Sequence, residues 1–375
     1  MPPSLLSHKL SFVIAESLKY LRYLLLASNP ATSIFDPRTA FQAKAFQPLI
    51  WEIFRRGAVS KEFRTWVANK SHKSGNILMS YRELYVSQSN VLGGFQKTFE
   101  DADYVVLGVP FDATSTYRVG ARFGPTAIRE ASMNVETYSL RSAVDAEDLK
   151  LHDLGDLHVL TDTSKTLHRL KLVIREVAAL GKIPVAIGGE HTITLGMMEG
   201  FSDKVSKTAL VSFDAHLDMR NEYSGLRLSH TTFMRRISEE VKPGGIIEVG
   251  TRAVCKEELA YAKKAGIEFL TAGEIRKEGS EQVAEQLKKK LATYENVYLS
   301  VDMDVLDPAY VPAVQNPEPG GLEPQDLLDI VCELCDKRII GFDVLEVAPD
   351  YDQGVSAIQA ARIIFEILCS LEKSR

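Results

Sequence analysis

Six side chains suited to divalent cations stand directly after three apolar runs. Ala209–Phe213 leads into Asp214, His216 and Asp218, and Val297–Val301 leads into Asp302 and Asp304. Ile183–Ile187 passes through Gly188 and Gly189 to Glu190 and His191, and a fourth run, Ile339–Val344, leads to Glu346. The Asp-x-His-x-Asp spacing puts three ligand-capable groups on one side of an extended backbone, whose side chains alternate. Singly, these residues are ordinary: a histidine after a glycine pair is usually a hydrogen-bonded turn residue, and Asp302-x-Asp304 alone would cap a helix. Together they offer four carboxylates and two imidazoles. Four crowded negative charges would repel one another and raise their pKa values unless cations neutralise them. A pair of divalent ions balances the charge, and an oxygen-rich set favours Mn2+ over Zn2+. Two ions roughly 3.5–4 Å apart would share a water and lower its pKa, which is the chemistry of hydrolysis. The Gly188-Gly189 pair permits a tight turn but matches neither glycine pattern that cradles phosphates.

Groups at the ends of apolar runs need a sheet to hold them. The candidate strands are 104–109, 149–154, 183–187, 209–213, 246–249, 267–270, 297–301 and 339–344, with helical periods at 166–180, 256–265, 281–291, 326–338 and 355–372. Strand and helix alternating this often specify an α/β protein with a mainly parallel sheet of about eight strands. Periodicity alone leaves a closed barrel and an open three-layer sandwich equally available. In either, ligands gather at the carboxyl ends of the strands.

The chain has 375 residues, 45% hydrophobic and 25% charged, which suits a globular protein with a large core. A formal charge of −6 and a pI near 5.8 argue against a nucleic-acid partner. Four cysteines form no dense paired framework, which predicts a reducing, cytoplasmic setting. Cys332 and Cys335 make a C-x-x-C on a predicted helix, without the second pair or histidine of a zinc site, and read as two small buried residues.

Residues 1–75 differ from the rest. They hold 11 lysines and arginines against 4 acids in a chain that is acidic overall, and both tryptophans, Trp51 and Trp66. The apolar stretch 10–27 is interrupted by Glu16, Lys19 and Arg22, so it reads neither as a membrane span nor as a clean signal peptide. An amphipathic basic extension, a targeting segment, and a start assigned upstream of Met79 all stay open. Residues 76–375 form the catalytic domain on this reading.

The motifs Gly188-Gly-Glu-His-Thr192, Ser212-Phe-Asp-Ala-His-Leu-Asp218, Ser300-Val-Asp-Met-Asp-Val-Leu-Asp-Pro308, Pro317-Glu-Pro-Gly-Gly321 and Phe342-Asp-Val-Leu-Glu-Val-Ala-Pro349 resemble those of the ureohydrolases, the family of arginases and agmatinases. So do Gly108-Val-Pro-Phe-Asp112 and Gly120–Arg129. The resemblance covers about residues 79–372. It implies an open three-layer α/β/α sheet, two Mn2+ ions per chain, a small guanidino substrate, no membrane association and a homo-oligomer. It also implies that His191, Asp214, Asp218 and Asp302 hold one ion and Asp214, His216, Asp302 and Asp304 the other. His230 matches the family's proton-shuttling histidine, and Glu346 the carboxylate that receives the guanidinium. The segments 317–321 and 347–352 look more like agmatinases than arginases, whereas Ala313-Val-Gln-Asn316 departs from the agmatinase pattern at the substrate-tail pocket. In the loop 219–229, Glu222 is a candidate partner for a substrate ammonium, and Arg220 and Arg227 for a carboxylate. The expected reaction is hydrolysis of agmatine to putrescine and urea, with arginine or a guanidino acid as the alternative substrate. Two readings from other classes are a mononuclear zinc deacetylase, which a metal count separates, and a catalytically dead homologue, which would lack a bridging ligand; none is missing.

Overall fold

The computed structural model describes residues 80–87 and 90–375; the reading of residues 1–75 as a basic extension lies outside them. Among the described residues there are eleven strands. They are β1 Val86–Ser87, β2 Tyr104–Gly108, β3 Tyr138–Ser139, β4 Val144–Asp145, β5 Leu151–Leu157, β6 Ile183–Ile187, β7 Thr208–Phe213, β8 Gly245–Thr251, β9 Glu268–Thr271, β10 Asn296–Asp302 and β11 Ile339–Leu345. Nine form one sheet in the order β1-β5-β2-β6-β11-β10-β7-β8-β9, while β3 and β4 pair separately. All eight expected strands are present in it and run parallel. The ninth, β1, lies antiparallel on β5 at the edge.

The helices are α1 Tyr81–Tyr85, α2 Gly124–Ser132, α3 Thr163–Ala179, α4 Ile193–Gly200, α5 Phe233–Arg236, α6 Lys256–Ala265, α7 Ala272–Glu278, α8 Ser280–Leu291, α9 Pro324–Glu333 and α10 Val355–Lys373. Central strands such as β2 and β7 are buried along their whole length because helices cover both faces. Near the edge, β5 alternates buried and half-buried residues, as a strand with one covered face must.

Two apolar layers flank the sheet. Val211 and Phe213 of β7 point to the layer closed by Ile128 of α2, Leu287 of α8, Ile330 of α9 and Ile364 of α10. Leu210, one residue off, points to the opposite layer with Leu170 of α3, Ile193 of α4, Phe233 of α5 and Ala262 of α6. The architecture is therefore the open three-layer α/β/α sandwich. Each buried Val, Leu or Ile contributes roughly 1.5–3 kcal/mol, so these rows fix which face each strand presents. Cys332 and Cys335 sit in the first layer as buried free thiols; α9 ends at Glu333, so Cys335 falls just beyond it. Among the described residues no helix is long and apolar enough to cross a membrane.

Candidate active site

The four strands that end in candidate functional residues are neighbours at the middle of the sheet, in the order β6-β11-β10-β7. Phe213 pairs with Val301, so Asp214 and Asp302 emerge side by side from β7 and β10. Asp302 in turn pairs with Leu345, which brings Glu346 beside them. His191 arrives through the turn after β6. At Gly189 (φ +80°) an added Cβ would collide with the carbonyl oxygen of Val109, so this turn requires glycine. Asp218 and Glu346 adopt φ values of 50° and 70°, a left-handed conformation that non-glycine residues keep only where the surroundings enforce it.

The side chains converge. His191 Nδ1 lies 2.9 Å from Asp214 Oδ2, 3.1 Å from Asp302 Oδ2 and 3.8 Å from Asp218 Oδ2. His216 Nδ1 lies 3.0 Å from Asp304 Oδ2 and 3.5 Å from Asp214 Oδ1. Among the described residues, the groups of three or more able to hold an ion are His191–Asp214–Asp302 and Asp214–His216–Asp304, which share Asp214. Asp218 sits farther out, at the edge of the first group. Thus all six expected ligands meet in one place.

Its electrostatics call for cations. Burial disfavours charge on both histidines, yet Asp214 and Asp302 hold His191, and Asp304 and Asp214 hold His216, well above the usual imidazole range. Burial and neighbouring carboxylates push Asp218 and Asp302 well up. For Asp214 the two histidines overcome burial and hold the carboxyl below its usual range. Two like charges 4 Å apart cost roughly 4 kcal/mol at an effective dielectric near 20, so without metal this group must take up protons.

The hydrogen bonding around His191 fits a metal directly. Ser300 Oγ gives its hydrogen to Asp343 Oδ1 at 2.6 Å and can only accept from His191 Nε2 at 2.8 Å. In the neutral ring this leaves the lone pair of Nδ1 aimed at the carboxylates of Asp214 and Asp302. A lone pair facing two carboxylates is repulsive unless a positive charge lies between them: without metal that charge is a proton on Nδ1, as the raised pKa of His191 requires, and a metal ion would take its place. Asp343, further held by Tyr298 and Thr194, therefore orients the His191 ring through Ser300.

Above the cluster opens a cavity of about 510 Å³ whose wall includes His216, Asp218, His230, Asp302, Asp304 and Glu346. Glu346 Oε1 accepts from the His191 backbone N–H and Oε2 from Gln315 Nε2, both at 2.6 Å. Burial, then Asp302, raises its pKa well above the usual range. His230 is lowered to about 4 by burial and by the positive charge of His216 and His191, so it is neutral at pH 7. Of the expected tail-binding residues, Arg220 lines the cavity with its guanidinium over Tyr223, whereas Glu222 and Arg227 do not line it.

Several functional residues were not predicted. Gln315 lies in the segment that departs from the agmatinase pattern, and that departure was its one signal. Ser300 and Asp343 fall at alternate strand positions that read as core. Arg252 donates to the carbonyls of Asp304, Val305, Leu306 and Glu318, tying two site loops together; nothing in its local sequence marks it.

Known proteins share this arrangement. The profile of the Arginase family matches residues 102–370. The N(1)-aminopropylagmatine ureohydrolase of Thermococcus kodakarensis is 37% identical over 278 residues, covering 73% of this chain and 92% of the relative. The agmatinase of Pyrococcus horikoshii is 35% identical over 272 residues, covering 72% and 92%. The crystal structure of the agmatine ureohydrolase of Thermoplasma volcanium superimposes with a TM-score of 0.71 at 34% identity, covering 76% of this chain and 96% of that one. With a family match that spans every parallel strand of the sheet and all six converging side chains, the chain belongs to the arginase family, as a ureohydrolase most like the agmatinases.

Proposed function

We propose that the chain is a manganese-dependent hydrolase that converts agmatine to putrescine and urea. The observation that carries this reading is the sharing of Asp214 between two imidazole–carboxylate groups, beneath a cavity that Glu346 and His230 also line. His191, Asp214, Asp218 and Asp302 would hold one Mn2+, and Asp214, His216, Asp302 and Asp304 the other. When bound, the pair supplies Lewis-acid charge and an activated water.

The chain's own residues do the rest. The positive charge of a bound guanidinium favours the ionised form of Glu346, which then offers it a planar two-oxygen acceptor, and Gln315 and the His191 N–H keep that carboxylate from turning. Water oxygen adds to the guanidinium carbon, and the bond from that carbon to the alkyl nitrogen breaks. The nitrogen leaves as an amine only after gaining a proton, because an amide anion is too basic to depart. His230, neutral and at the cavity wall, accepts a proton and passes it to the leaving nitrogen.

The cavity wall also includes Glu318, suited to an ammonium, and Arg220, suited to a carboxylate. Arg220 is the observation that favours arginine or a guanidino acid as the second reading. Urea release from Mn2+-loaded protein with agmatine, N(1)-aminopropylagmatine, arginine and 4-guanidinobutyrate, each alone, tests both. Agmatine should give the highest kcat/KM. A preference for either carboxylate-bearing compound moves the assignment to the second reading, and no urea from any of the four overturns it.

We assign catalysis to residues 76–375 and treat residues 1–75 as accessory, since every site residue lies in the former. The free thiols suit a reducing, cytoplasmic compartment, and we propose a homo-oligomer, to be checked by light scattering.

A further inference from the structure

We propose that Glu190, acting through the hydroxyl of Thr114, is a positioning residue that fixes His230 in one tautomer, with the hydrogen on Nδ1 and the lone pair of Nε2 toward the cavity. The inference deepens the role given to His230 above and rests on that reading for its catalytic meaning, though not for its structural content. Glu190 is fully buried beside the metal cluster and is not itself among the converging ligands. Its oxygens are surrounded by donors. Oε2 accepts from the Thr114 backbone N–H at 2.7 Å, and Oε1 from the hydroxyls of Thr114 at 2.6 Å and Thr192 at 2.5 Å.

A threonine hydroxyl has one hydrogen and two lone pairs. Burial raises the Glu190 carboxyl to about 7, so at the mildly alkaline pH of the test below it is ionised, and its short contact takes the hydrogen because charge-assisted bonds are the stronger ones. Thr114 Oγ1 is then purely an acceptor toward everything else. One lone pair meets the His230 backbone N–H at 3.0 Å. The other faces His230 Nδ1 at 3.1 Å, and only a hydrogen on Nδ1 makes that contact a bond.

Nε2, left with its lone pair, lies 3.2 Å from Thr116 Oγ1, a side chain that lines the cavity and is free to donate. The opposite tautomer would set the Nδ1 lone pair against a lone pair of Thr114. The backbone N–H on the same hydroxyl ties the ring's anchor to the chain that carries it, so tautomer and orientation are set together. His230 therefore presents its basic atom to the substrate side before substrate arrives.

The test is 15N NMR of the full chain labelled at its histidine imidazoles, with diamagnetic Mg2+ present, at mildly alkaline pH. A His230→Gln spectrum identifies the resonances of His230. The wild-type spectrum should show Nδ1 protonated and Nε2 unprotonated; the reverse pattern, or an equal mixture, overturns the proposal without any appeal to activity. Thr114→Val removes the hydroxyl at equal size. It should scramble the tautomer and lower kcat about 10–100-fold, less than the ~10²–10⁴ typical of losing an acid–base group, with KM and metal content little changed. Thr114→Ser should restore both readouts. A Thr114→Val protein that keeps the wild-type tautomer and kcat also overturns the proposal. Should the valine variant fail to fold, the wild-type spectrum and the serine variant still decide. Absence of urea from every substrate alongside the expected spectrum would count against the proposed function and leave the tautomer assignment intact.

Discussion

His230 shows how much one buried side chain can say about pH. Its folded pKa is depressed from 6.5 to about 4, first by burial and then by the positive charge on His216 and His191. A histidine with a lowered pKa binds its proton more readily in the unfolded chain, so stability falls as pH drops from about 6.5 toward 4, and this loss is absent above 6.5. Thermal unfolding of wild type and His230→Gln should therefore converge as the pH is lowered through that window, with the wild type losing more. Parallel curves would show that the histidine is not buried as described. His230 was legible in the sequence only through the motif around it. Its partners were not: Thr114 stands 116 residues from it and 76 from Glu190, and Gln315 stands 31 from Glu346. No local pattern encodes contacts at such separations.

At the scale of elements, the strands were readable because each is a short apolar run, most of them ending directly at an aspartate or a glycine. β1 was not, since two residues give no period and its antiparallel pairing on β5 is a tertiary fact. Helix limits moved where side chains intervene. α9 begins at Pro324, before the expected Asp326, and ends at Glu333, before Asp336 turns back to bond the Arg338 backbone and guanidinium. The turn after β6 is the element on which the site depends most. Gly189→Ala would force a Cβ into the Val109 carbonyl at a φ of +80°. The expected cost is about 1–3 kcal/mol of stability, together with displacement of His191 and weaker metal binding. Denaturant midpoints and metal titrations of that variant measure both, and wild-type values in each would show the turn to be more tolerant than its geometry indicates.

For the whole molecule, the sheet order was the part that sequence could not supply. Alternating strands and helices left barrel and sandwich equal, and the family resemblance rather than the pattern pointed to the open sheet. The observed order explains how the site is assembled: β6, β11, β10 and β7 are adjacent, so motifs more than 100 residues apart in sequence end at one place. The assignment of catalysis to residues 76–375 predicts that a chain starting at Met79 folds, binds metal and releases urea at a rate within about threefold of the full chain. An insoluble or inactive product would make residues 1–75 part of the working enzyme.

A two-ion centre bridged by Asp214 is tested by the manganese content per chain after dialysis against Mn2+ and removal of free ion. Wild type should hold two ions per chain. Asp214→Asn, which removes the shared charge while keeping the side chain's size, should hold fewer than one and release no urea. One ion per wild-type chain, or an Asp214→Asn protein that keeps two ions and full turnover, would contradict the account.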